Sequence, residues 1–87
     1  MSNYPNPFNP ETSIRYNIPF ECQTKLSIYN IKGKRIATLV NETRKAGYHS
    51  VIWDGKNMDG EEVSSGVYIY RLETEYYKMA KSMILVK

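Results

Sequence analysis

Residues Lys25–Val40, KLSIYNIKGKRIATLV, carry two runs of alternating character on either side of a polar turn. Leu26 and Ile28 alternate with Lys25 and Ser27, and Tyr29 and Ile31 carry the first run into IKGK. A period of two marks a strand with one buried face, because successive side chains leave a pleated backbone on opposite sides. Gly33 can take the positive φ that a tight hairpin turn requires, and Ile36–Val40 resumes as the next strand. The stretch therefore reads as a β-hairpin.

The same period extends outward in both directions. Upstream, Ile14, Tyr16 and Ile18 alternate with Arg15 and Asn17 until Pro19 ends the run. Downstream, the polar NETRKAG is expected to close the third strand, with Gly47 as the turn residue. YHSVIWD follows as a fourth strand, His49, Val51 and Trp53 on its inward face. DGKNMDGEEVSSG is dense in turn formers and reads as a long connection with a short paired segment at Glu62 and Val63. VYIYRLET, with Tyr68, Tyr70 and Leu72 on its apolar side, precedes a turn near Glu75 and Tyr76, and YKMAKSMILVK forms the last strand. The one helical candidate, Glu42–Ala46, is too short to stand alone. Short, evenly spaced strands of this kind predict an all-β fold, an Ig-like antiparallel β-sandwich of about seven strands.

The sandwich is expected over residues 12–87. Residues 1–11 are set apart as a proline-rich lead-in or linker end. In YPNPFNP, Pro5, Pro7 and Pro10 fix φ and offer no N–H, so the segment cannot pair as a central strand. Tyr4 and Phe8 are free to pack onto the edge of the sandwich.

At 87 residues the chain has room for one thin core and little left over for the walls of a catalytic cleft. Twelve Lys and Arg against nine Asp and Glu give 12 − 9 = +3, and the basic residues are scattered; a nucleic-acid surface concentrates them. The lone cysteine, Cys22, forms no internal disulfide and reads as a small side chain in the Pro19–Thr24 turn region. No apolar run is long enough to cross a bilayer.

Groups that could carry chemistry do not converge. His49 is the only histidine and reads as a packed strand residue. Asp54, Asn57, Asp59, Glu61 and Glu62 crowd one loop, but Lys56 and Met58 interrupt the alternate oxygen ligands that a calcium loop needs. They read as a turn network, and no metal, cofactor or catalytic residue is expected. Tyr68, Tyr70, Tyr76 and Tyr77 fit core or edge packing better than a sugar-stacking platform.

In their order, YPNPFNPETSIRYNIP, LSIYNIKGKRIATLV, AGYHSVIWDGKNMDGEEVSSGVYIYRL and the terminal KSMILVK resemble the C-terminal sorting domain of bacterial type IX (Por) secretion cargo. They are also similar to the Ig-like domain of the flagellar hook-capping protein. The resemblance implies a noncatalytic recognition domain that directs an exported cargo protein to the cell surface or medium by way of the periplasm and outer membrane. It implies as partners the outer-membrane type IX translocon, a sortase-like processing enzyme and an upstream cargo domain of the same parent chain. The signature positions it carries over are Pro5, Asn6, Pro7, Gly33, Gly66, Val67, Tyr68, Lys81 and Lys87. The final strand is then the expected docking element, since a sheet edge presents unpaired N–H and C=O groups. Two other readings stand beside it: a hook-capping-like or spacer module in an extracellular enzyme, and a carbohydrate-binding accessory module.

Overall fold

In the computed structural model, which describes all 87 residues, seven strands and no helix make up the fold. They are β1 (Ser2–Tyr4), β2 (Thr12–Ile18), β3 (Cys22–Asn30), β4 (Arg35–Arg44), β5 (Gly47–Trp53), β6 (Gly66–Thr74) and β7 (Lys78–Leu85). A three-stranded sheet ordered β1-β2-β5 faces a four-stranded sheet ordered β4-β3-β6-β7. Every strand pairing is antiparallel.

The period-two runs place the core as expected. Ile14, Tyr16 and Ile18 from β2, Leu26 and Ile28 from β3, Trp53 from β5, and Tyr68, Tyr70 and Leu72 from β6 are all buried. Met83 and Leu85 of β7 complete the inner face, and Cys22 is buried at the start of β3. Tyr48 and Ile52, alternating with the inward residues of β5, are exposed.

Two segments depart from the sequence reading. The polar NETR continues β4 to Arg44, with Glu42 opposite Thr24 and Thr43 opposite Gln23. Side chains reward this pairing, since Gln23 donates to the Asn41 Oδ1 at 3.2 Å and accepts from the Thr43 hydroxyl at 3.3 Å. An exposed strand end of this type needs no apolar residue. The second departure is at the N-terminus, where Ser2–Tyr4 joins β2 as a short strand. The chain then leaves that sheet, crosses the open side of the sandwich and reaches the edge of β7. There Phe8 is buried to 2% exposure against Trp53, the ring centres 5.6 Å apart. Tyr4, four residues earlier, stays 78% exposed.

The loop between β5 and β6 is organised by its own side chains. Asp54 Oδ1 accepts from the Lys56 N–H, and Asn57 Oδ1 accepts from the N–H groups of both Asp59 and Glu61. Trp53 Nε1 donates to the Lys56 carbonyl at 3.0 Å, tying the loop to the core.

Candidate functional site

β7 is an edge strand, and its backbone is used unequally along its length. The N–H of Phe8 donates to the Ile84 carbonyl at 2.9 Å, the Val86 N–H donates to the Phe8 carbonyl at 2.9 Å, and Asn6 Oδ1 accepts from the Ile84 N–H at 3.0 Å. Ile84 and Val86 therefore point their backbone groups away from β6 and into the lead-in. Backbone groups of a strand alternate in direction, so those of Ala80 and Ser82 share that outward direction, as do those of Lys78. Nothing in the chain pairs with them. The edge is closed over Ile84–Val86 and open over Lys78–Ser82.

The prolines explain where closure stops. Pro5, Pro7 and Pro10 have no N–H to give, and they leave Phe8 to bond through its main chain and Asn6 through its side chain. The segment is held from behind as well: the Thr12 hydroxyl donates to the Pro5 carbonyl at 2.9 Å, and Asn3 Nδ2 donates to Thr12 Oγ1 at 3.2 Å. It acts as a strap that covers one end of the edge and offers almost no edge of its own.

Most signature positions gather at that covered end. Gly66, Val67 and Tyr68 pair with Leu85, Ile84 and Met83, directly behind the strap that holds Pro5, Asn6 and Pro7. The Lys87 N–H donates to Ser65 Oγ at 3.2 Å. Gly33 sits in the β3–β4 turn at the same end, its φ at +83° and its N–H donating to the Asn30 carbonyl. Between this turn and the start of β6 lies an open cleft of about 370 Å³, lined by Ile31, Ile36, Val63 and Val67 among others. Lys81 is elsewhere: it pairs with Tyr70 in the middle of the ladder, beside the open half of the edge.

Within the cluster, Tyr68 has a definable structural role. Its hydroxyl donates to the Ser64 carbonyl at 2.7 Å while its ring packs edge-on against Trp53, so it fastens the end of the long loop to the core. Tyr68→Phe is expected to lower stability by about 1 kcal/mol, the net worth of one such hydrogen bond, as read by urea unfolding. An unchanged midpoint would remove this role.

The groups with potential chemistry stay apart. His49 Nε2 lies 2.7 Å from the Lys45 carbonyl, and its ring stacks on Tyr16 at 5.5 Å. No three His, Cys, Asp or Glu side chains come together as a metal site would require. Burial pushes the Tyr16, Tyr70 and Tyr77 phenols above their ordinary value. Tyr68 and Tyr70 are buried, so they provide no sugar-stacking face. No helix is long and apolar enough to cross a membrane.

Fold and site together define an Ig-like β-sandwich module whose most distinctive surface is a half-open sheet edge. The chain belongs to the FlgD Ig-like domain family, whose model matches residues 10–77. That match begins after the Asn6–Phe8 strap and ends before β7. No curated protein sequence matches the chain at a significant level. Among solved structures it is similar to FlgD from P. aeruginosa, at a TM-score of 0.68 and 21% identity over 85% of this chain and 57% of that one. It is also similar to dimeric latent PorU from Porphyromonas gingivalis, at 0.77 and 20% identity over 98% of this chain and 9% of that one. A third likeness is to PorZ, described as an essential bacterial surface component of the type-IX secretion system of Porphyromonas gingivalis. It has a TM-score of 0.68 and 16% identity over 99% of this chain and 11% of that one. The chain thus spans just over half the length of the FlgD chain and about a tenth of the PorU and PorZ chains.

Proposed function

We propose that this chain is a noncatalytic sorting domain, read by the type IX secretion machinery through the edge of β7 and the rim beside it. In this reading residues 12–87 form the body of the sandwich, and the proline-rich lead-in of residues 1–11 adds the short edge strand β1 and the strap. Pro5, Asn6, Pro7, Gly66, Val67 and Tyr68 keep one end of the edge in shape, Gly33 turns the adjoining hairpin, and Lys81 and Lys87 put charge on the terminal segment. An upstream domain of the parent protein is the cargo. A translocon subunit and a sortase-like enzyme are the partners, and the cell surface or medium is the destination. The half-open edge carries the reading, because it offers main-chain donors and acceptors that a partner strand can complete. The likeness to PorU and PorZ over almost the whole chain, strap and last strand included, supports it.

The test fuses all 87 residues behind a periplasmic reporter in a host with a type IX translocon. Surface delivery is expected, and Ala80→Pro with Ser82→Pro is expected to reduce it at least tenfold. These substitutions delete outward N–H groups and leave the ladder to β6 in place, so circular dichroism should show both fusions folded. An intact, folded fusion that stays in the periplasm would refute the sorting role.

That result would favour the second reading, a structural Ig-like module of the hook-capping type. It is supported by the family model itself and by the likeness to FlgD.

A further inference from the structure

The open half of the β7 edge has a chemical character of its own. Lys78 and Lys81 are both exposed, and β7 carries no acidic residue. The nearest acids are engaged: Glu73 Oε1 accepts from Arg71 Nε at 2.9 Å, and Glu75 Oε1 accepts from the Gln23 N–H at 3.2 Å. The open stretch from Lys78 to Ser82 is roughly 13 Å long, enough for a partner strand of about five residues. Lys78, Ala80 and Ser82 share one face of this stretch and Met79 and Lys81 the other, so a strand added at the edge meets one lysine on each face.

The other edges are poorer sites. β1 is three residues long, on β4 the Thr38 N–H already donates to Met58 Sδ at 3.3 Å, and β5, the fourth edge, carries no charged residue with which to select a partner. A second copy of this chain is a poor occupant of β7, because antiparallel self-pairing about Ala80 would bring four lysines into one five-residue ladder.

We infer that the Lys78–Ser82 edge binds an extended, acidic segment of a partner protein by β-strand addition. The main-chain groups of Ala80 and Ser82 supply the ladder, and Lys78 and Lys81 select its charge. The Asn6–Phe8 strap sets the register, since a pairing strand cannot slide past Ser82 onto Ile84. This inference rests on the reading of β7 as the recognised edge and adds the chemistry of what it recognises.

Lys78 and Lys81 stand on opposite faces of the strand, so the test is an NMR titration of the 87-residue chain with two capped heptapeptides charged on both faces, Val-Glu-Glu-Val-Glu-Glu-Val and the same sequence with lysine in place of glutamate. The acidic peptide is expected to shift the Ala80 and Ser82 amides and to bind roughly tenfold more tightly than the basic one, a preference that fades with added salt. In the Lys78→Glu, Lys81→Glu double variant the order of the two peptides should reverse. Equal affinities, no saturable shift, shifts confined to β5, or self-association through β7 would each overturn the inference. The outcome is separable from the sorting role. Peptide binding with a fusion retained in the periplasm removes sorting and keeps the edge specificity. Normal delivery of the double-glutamate variant without peptide binding does the reverse.

Discussion

Phe8→Ala is expected to destabilise the domain by about 3–5 kcal/mol, the range for removing a buried aromatic ring. An 87-residue domain has about 4–13 kcal/mol in total, so this one change in the lead-in consumes a large share of it. The ring is 2% exposed, and its packing against Trp53 connects the strap to the interior. The main-chain bonds at Ile84 and Val86 depend on the strap staying seated. Urea unfolding, followed by tryptophan fluorescence, measures the loss. Tyr4→Ala is the control, because a side chain 78% exposed should change stability by no more than about 0.5 kcal/mol. If the two variants unfold at the same urea concentration, the strap merely lies on the surface. Should Phe8→Ala fail to fold, Phe8→Leu keeps most of the buried volume and should give a smaller loss of the same sign.

The second large effect is expected at Gly55, where two costs coincide. Its φ is +76°, and a Cβ there would lie 3.0 Å from the Pro10 carbonyl oxygen, a main-chain atom with little room to move. Gly55→Ala should therefore bear about 1–2 kcal/mol for the left-handed backbone and a further 1–3 kcal/mol for overpacking. The sum is about 2–5 kcal/mol. Gly60 isolates the first cost, since its φ is +80° and nothing lies within 4 Å of the position a Cβ would take. Gly60→Ala should lose only the backbone part. Equal losses at the two sites, measured by thermal or urea unfolding, would mean that the return of the strap past Pro10 does not press on the loop.

Both expectations concern a segment whose stiffness is plain in the sequence and whose destination is not. Three prolines within six residues mark a chain that cannot pair like an ordinary strand. Tyr4 and Phe8 are equally able to pack onto an edge, yet Phe8 enters the core and Tyr4 faces solvent. The difference arises where the chain crosses between sheets. β4 presents the converse case: NETR lacks the apolar alternation of a strand, and its strand character comes from the Gln23 and Thr24 side of the ladder. Of the signature residues, Gly66, Val67 and Tyr68 could be assigned to the start of a late strand by pattern alone. Their place behind Ile84 and the strap could not.

The amino-acid sequence alone determined the all-β character, the inward faces of β2, β3, β5 and β6, and the turn at Gly33. All three follow from chemistry that acts over a few residues: pleat alternation, proline and glycine dihedrals, and Asx-type turns. The resemblance already implied an exposed final strand; only the tertiary structure decided that its last residues are covered and that Lys78–Ser82 remain open. Those features depend on Asn6 meeting Ile84, 78 positions along the chain, and no local pattern encodes a contact that exists only once two sheets have closed on one another.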